Sequence, residues 1–212
     1  MSELDVRRAG LADVDEIVAV LSEAARWLLS RGIRQWPDPF PRERVERLVR
    51  RGDFYLARRG GEPVATLALQ WSDPTFWGEQ PDDAGYVHVL AVRRTQAGRG
   101  LDARLLEWAE AEVTARGRRY LRLDCLAENH ALRHYYEGQG FEPRGEVAVD
   151  DFVAVRFERR CRAPEPAAAG GEIVPQPAHT RDRNVRAAGV GSQRERGRPT
   201  NPTQEGGGAL PG

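Results

Sequence analysis

The chain has 212 residues and no formal net charge at neutral pH, its 32 basic side chains balancing 32 acidic ones. That balance offers no global attraction for nucleic acid or for an anionic membrane surface. Every basic residue is arginine, which excludes both a Schiff-base lysine and a Walker-type phosphate lysine.

From the N-terminus, Leu4–Arg8 ("LDVRR") reads as a short strand. Val14, Ile17, Val18, Leu21, Ala24, Ala25 and Leu28 recur at helical spacing, which predicts a helix from about Leu11 to Ser30 that stops near Gly32. After "RQWPDPFP", Val45, Leu48 and Val49 mark a second helix ending near Gly52. "DFYLARRGGEPVATLALQW" predicts a hairpin turning at Arg59-Gly60-Gly61-Glu62. A loop, "SDPTFWGEQPDDAG", leads to the apolar strand Tyr86–Val92. A helix from Leu101 to about Arg116 follows, with Leu105, Leu106, Trp108, Ala109 and Val113 at core spacing. Tyr120–Leu126 is a further strand, "ENHALRHYYEGQ" a short helix closed by Gly140, and "FEPRGEVAVDDFVAVRFER" a last strand pair. The order βααβββαβαββ predicts an α/β domain whose mixed, mostly antiparallel sheet holds a central parallel strand pair flanked by helices.

That domain is expected to span residues 1–160. Every Trp, Tyr and Phe precedes residue 158, and residues 161–212 are rich in Pro, Gly, Ala and Arg. Such a segment buries too little apolar surface to offset its ordering entropy and reads as a disordered tail. Cys125 and Cys161 are too few for a disulfide framework or a zinc site, and Cys125 on its strand reads as a small buried residue. No stretch of about 18 apolar residues occurs, and "MSELDVRRAG" lacks the layout of a signal peptide, so a cytoplasmic location is expected.

The stretch with the strongest chemical signal is "RRTQAGRGLDARLL" (Arg93–Leu106). Gly98-Arg99-Gly100-Leu101-Asp102-Ala103 matches the dinucleotide fingerprint G-x-G-x-x-G/A, and Asp124 lies about twenty residues on. Against an NAD-binding oxidoreductase, five residues separate the preceding strand from the first glycine, and antiparallel elements come before it. The same residues suit a phosphate cradle, because unsatisfied N–H groups at a helix N-terminus and the helix dipole both attract an anion. Asp102 places a carboxylate in that first turn; a side chain swung toward Arg104, Arg99 or solvent avoids the anion.

Two stretches together resemble the GCN5-related N-acetyltransferase (GNAT) superfamily, over nearly all of residues 3–160. "YVHVLAVRRTQAGRGLDARLLEWAE" is similar to its acetyl-coenzyme A motif of strand, R/Q-x-x-G-x-G/A loop and helix. "RLDCLAENHALRHYYEGQGFEPRGE" is similar to its second half, a strand followed by Asn and Tyr-Glu-x-x-Gly-Phe. Two positions depart from the pattern. Ala97 stands where the family prefers Arg or Gln, with Gln96 one place early, and Asp102 where it prefers Gly or Ala.

The resemblance implies transfer of an acetyl group from acetyl-coenzyme A, as co-substrate and with no metal, to an amine of a small molecule or peptide. It implies that the backbone of Leu90 and Val92 pairs with the pantetheine arm and that Ala97, Gly98, Arg99, Gly100, Leu101 and Asp102 hold the pyrophosphate. Asn129 is expected to touch the pantetheine arm as well as to cap its helix, and Tyr136 to lie beside the thioester sulfur as the acid. Tyr135 is expected to be the more buried of the two tyrosines. His88, two residues before Leu90 and expected on the same strand face, is the expected base, since imidazole titrates near working pH. The Leu90 N–H is the expected oxyanion donor. Trp36, Trp71, Phe76 and Trp77 come from segments that flank the acceptor cleft. His130 and His134 have the spacing of a metal-binding pair, but no third ligand is near. A non-catalytic acyl-coenzyme A-binding module stays open as an alternative. Neither a nucleic acid nor a membrane is an expected partner, and a homodimer stays open.

Overall fold

A computed structural model describes residues 3–162; from residue 163 on, the expected disordered tail lies outside the described residues. Seven strands form one sheet: β1 (Leu4–Arg8), β2 (Phe54–Arg59), β3 (Glu62–Gln70), β4 (Ala84–Val92), β5 (Tyr120–Leu126), β6 (Glu142–Val149) and β7 (Phe152–Arg160). Their order is β1-β2-β3-β4-β5-β7-β6. All neighbours are antiparallel except β4 and β5. The helices are α1 (Val14–Leu29), α2 (Arg42–Arg51), α3 (Pro74–Trp77), α4 (Leu101–Ala115) and α5 (His130–Gly138). The expected sequence of elements is thus present, with α3 added inside the stretch read as a loop. None of the described helices is long and apolar enough to cross a membrane.

Each face of the sheet buries its own core. On one face Leu101, Leu105, Leu106, Ala109 and Val113 of α4 pack on Leu67, Leu69, Val87, Leu121 and Leu123. On the other, Val14, Ile17, Val20 and Leu21 of α1 and Val45 and Val49 of α2 cover Phe54, Leu56, Ala68, Val89 and Ala91. Each fully buried Leu or Ile on these faces contributes about 1.5–3 kcal/mol over an exposed one, which makes the two apolar stripes the main stabilising feature. Gly85 lets α4 lie close on β4: a Cβ there would come within 2.4 Å of Val113 Cγ2.

β4 carries an irregularity that changes the meaning of its sequence. Ala68 pairs with His88 and Thr66 with Ala91, so three steps on β4 oppose two on β3. The extra residue is accommodated at Val89, whose φ is +45°. A β-branched residue in that region is strained, at a cost of about 1–3 kcal/mol, and persists only where the surroundings enforce it. Here the bulge resets the alternation. Val87 joins the α4 core, Val89 and Ala91 join the α1 core, and Leu90 and Val92 turn back against the α4 core. His88 pairs with Ala68 of the α1 face. His88 and Leu90 therefore lie on opposite faces, not on the same face as strict period-two alternation predicts.

The parallel pairing of β4 with β5 is short. It runs from Ala84↔Tyr120 to Val87↔Leu123 and stops there, while β5 continues to pair with β7 through Leu126. Beyond the bulge, β4 presents backbone to a gap instead of to β5.

Candidate active site

His88 stands at the mouth of this gap. Its Nδ1 lies 3.5 Å from Oδ1 of Asp124, and its Nε2 lies 3.4 Å from Oδ2 of Asp73. Asp124 is on the same face because Leu121, Leu123 and Cys125 of β5 point into the α4 core, leaving Arg122 and Asp124 for the other side. Asp73 arrives from the N-cap of α3, where its Oδ1 accepts the Phe76 N–H at 3.3 Å. Its Oδ2 is buried without a hydrogen-bond partner. The Phe76 ring flanks the imidazole, centroid to centroid at 6.2 Å.

Burial sets the protonation of the group. It pushes the His88 pKa down to about 4, with the Arg44 guanidinium of α2 acting in the same direction. It raises Asp124 to about 7, helped by the nearby charge of Asp73 and opposed by Arg44. Asp73 is raised for the same reason, burial outweighing its two backbone hydrogen bonds. Near neutral pH the imidazole is uncharged and Asp124 sits at its titration midpoint, poised to take a proton. Asp73, His88 and Asp124 place donor atoms within 4.8 Å of one another, a set of the kind that can bind a cation. The imidazole, however, turns a different nitrogen to each carboxylate, and Arg44 adds a positive charge beside them. That arrangement suits proton handling better than metal ligation.

The loop before α4 turns as its glycines predict. Gly98 and Gly100 take φ of +72° and +67°, a region open to glycine. The N–H groups of Gly98, Arg99 and Gly100 donate to no backbone acceptor, and those of Leu101, Asp102 and Ala103 begin α4 with no carbonyl a turn before them. These outward donors fit a pyrophosphate. Arg93 is taken up by the fold, bonding Glu23 Oε2 at 3.0 Å and the Pro63 carbonyl, and Arg94 stacks over Trp27 at 3.9 Å. Only Arg99 of the three stays with the loop, 3.4 Å from Gln96 Oε1. Asp102 makes no ion pair with Arg99 or Arg104; burial, with the Asp102 charge adding to it, raises the pKa of the Tyr135 hydroxyl.

The structure corrects the order of the two tyrosines. Tyr136 is buried, against Phe141 and Phe157, and Tyr135 only partly so. Burial raises the Tyr136 pKa well above that of free tyrosine, so its hydroxyl keeps its proton. Asn129 caps α5, accepting the Leu132 N–H at 3.2 Å and donating to Gln35 Oε1 at 3.1 Å. Of the four aromatics from segments that flank the cleft, Phe76 meets His88, and the three tryptophans pack elsewhere. Trp77 is buried against Tyr86, Trp36 packs edge-on against Phe40, and Trp71 lies between Arg116 and Arg118. His130 and His134 are exposed on α5. The sequence did not single out Asp73, and it noted Asp124 only beside a dinucleotide fingerprint; the structure brings both to His88.

A family model described as the acetyltransferase (GNAT) family matches residues 21–141, which contain the loop, the bulged strand and the tyrosine helix. The chain belongs to the GNAT family. An uncharacterized N-acetyltransferase of Bacillus subtilis (strain 168), YesJ, is 32% identical over 145 residues, 64% of this chain and 80% of that protein. A GNAT-family acetyltransferase structure from Listeria monocytogenes shares the fold, with a TM-score of 0.65 at 24% identity, over 75% of this chain and 95% of its own. So does a putative acetyltransferase, yncA, from Salmonella typhimurium, solved with acetyl-CoA, with a TM-score of 0.58 at 15% identity over 79% and 99%. As a GNAT protein the chain is an acyltransferase, with acetyl-CoA-dependent acetyl transfer as its general activity.

Proposed function

We propose that the chain transfers the acetyl group of acetyl-coenzyme A to an amine of a small molecule or peptide, with Asp124 and His88 as its proton-accepting pair. The observation that carries this reading is the pairing of those two side chains at the gap where β4 and β5 separate. In this arrangement the loop N–H groups hold the pyrophosphate and the exposed backbone of Leu90 and Val92 receives the pantetheine arm as an added strand. The thioester then lies in the gap and the amine approaches from the α1 face, over His88. The Val89 bulge supports that division, because it turns His88 to one face and Leu90 to the other.

An amine is largely protonated at neutral pH and must lose a proton to attack. Asp124, raised by burial to about 7, takes it directly or through His88. The nitrogen forms the new C–N bond while the Leu90 N–H stabilises the carbonyl oxygen as charge develops; the C–S bond then breaks, and the second proton lost from nitrogen passes through solvent to the coenzyme A thiolate. Tyr136 donates a hydrogen bond to the departing thiolate; with its pKa raised it holds its own proton and steadies the charge. The test is thiol release from acetyl-coenzyme A across a panel of amines. Amine-dependent release that is lost in Asp124→Asn supports the assignment. Tight binding of acetyl-coenzyme A without release from any amine would instead favour a binding module.

A further inference from the structure

Glu23 of α1 holds the start of the loop before α4 with both of its carboxylate oxygens. Oε1 accepts the Arg94 N–H at 2.7 Å, and Oε2 accepts from the Arg93 guanidinium at 3.0 Å. Arg94–Gln96 form a single 3-10 turn between β4 and the glycines. An N–H that opens such a turn has no carbonyl behind it to accept it, and Glu23 supplies the acceptor. A carboxylate in that position makes a charge-assisted bond, about twice as strong as a neutral one. Arg93 is fixed on its other side as well, its backbone N–H donating to the Val64 carbonyl at 2.9 Å and its Nε to the Pro63 carbonyl at 3.1 Å. One turn further along α1, the Trp27 ring lies under the Arg94 guanidinium, 3.9 Å from carbon to centroid. The turn then carries the glycines: the Gln96 N–H donates to the Arg93 carbonyl at 2.9 Å and the Ala97 N–H to the Arg94 carbonyl at 3.2 Å. The backbone that precedes Gly98 is therefore set by residues 93 and 94, and α1 grips both.

We propose that Glu23 is a positioning residue for coenzyme A, acting through residues 93 and 94 to aim the N–H groups of Gly98–Asp102 at the pyrophosphate. The inference rests on the phosphate-loop reading above and adds to it a residue outside the loop and its strand. Hydrogen bonds weaken steeply away from a narrow range of distance and angle, so a row of backbone donors is effective only on a fixed backbone. The carboxylate can stand close to an anion site because Arg93 neutralises it.

The test compares kcat/KM for acetyl-coenzyme A with that for S-acetylpantetheine, which has the same thioester and arm but no pyrophosphate, at one fixed amine. Wild type is expected to prefer acetyl-coenzyme A by about a hundredfold or more, since several charge-assisted N–H bonds are at stake. Glu23→Ala is expected to cut that preference by about tenfold, through KM for acetyl-coenzyme A, with S-acetylpantetheine within about twofold of wild type. Glu23→Gln keeps an acceptor for the Arg94 N–H and loses only the ion pair, so its selective loss is expected to be about threefold. Glu112→Gln removes the 2.7 Å ion pair with Arg116 on α4 and is expected to change neither thioester. An equal loss with both thioesters would make Glu23 a purely structural residue and overturn the proposal, as would a preference unchanged in Glu23→Ala. A wild-type preference near one would contradict the phosphate-loop reading itself and the proposal with it. In the absence of turnover with any amine, calorimetry with coenzyme A decides. Affinity weakened about tenfold in Glu23→Ala and about threefold in Glu23→Gln supports the anchor while contradicting the transferase reading, and unchanged affinity overturns the anchor.

Discussion

His88 and Leu90, two residues apart on one strand, face opposite sides of the sheet because Val89 between them takes a φ of +45°. The bulge divides a single strand: it leaves His88 on the α1 face and the backbone beyond Val89 unpaired with β5, the division on which the proposed acceptor and pantetheine roles rest. Asp73 and Asp124 then close around the imidazole from α3 and β5.

Asp73 tunes this group. Its charge contributes to raising Asp124, so Asp73→Asn is expected to lower the Asp124 pKa and move the acidic limb of the pH–rate profile to lower pH. Asparagine caps a helix as well as aspartate, so α3 is expected to remain formed. Circular dichroism and the pH profile check the two parts; an unmoved or upward-moved limb contradicts the coupling.

In the proposed phosphate loop, Gly100→Val places a β-branched residue at φ +67° with open space around its Cβ. The effect is conformational, costing about 1–2 kcal/mol, and the loop relaxes out of its donor geometry. Calorimetry with coenzyme A is expected to show affinity weakened about tenfold or more, with the melting temperature lowered only slightly. Unchanged affinity would mean that these N–H groups do not hold the pyrophosphate.

Tyr136→Phe removes a hydroxyl and keeps the ring packed against Phe141 and Phe157. Turnover is expected to fall by about ten- to a hundredfold, with coenzyme A affinity within about twofold of wild type. A variant with full kcat would reduce Tyr136 to a core residue.

Much of the fold was legible in the sequence. Helical spacing marked α1, α2 and α4, the Arg59–Glu62 turn marked the hairpin, and the parallel middle pair followed from the helix between its strands. The loop glycines also declared their backbone conformation. What could not be read depended on pairing between distant segments. The bulge at Val89 exists because β3 and β4 match only with an extra residue, and no local signal announces it. Asp124 looked like part of a dinucleotide fingerprint; its partnership with His88 comes from the register of two parallel strands. Asp73 required recognising a four-residue helix inside a loop, for which the Asp-Pro pair at its start was the available signal. Tyr135 and Tyr136 are adjacent, and the rotation of a short helix decided which one is buried.

A chelator experiment bears on the same cluster. With proton handling as its role, dialysis against EDTA is expected to leave turnover within about twofold. Loss of activity restored by a divalent cation would reassign Asp73, His88 and Asp124 as ligands.

The most direct measurement is the pH dependence of kcat/KM for wild type and Asp124→Asn at a fixed amine. A base must be deprotonated to act, so a group whose folded pKa is raised to about 7 gives a rate that rises with pH through that value. Wild type is expected to show this limb, well below the ionisation of an alkyl amine near 10. In Asp124→Asn the rate is expected to fall by about a hundredfold and the limb near 7 to vanish. A limb that survives unchanged, or a rate close to wild type, would contradict Asp124 as the proton acceptor.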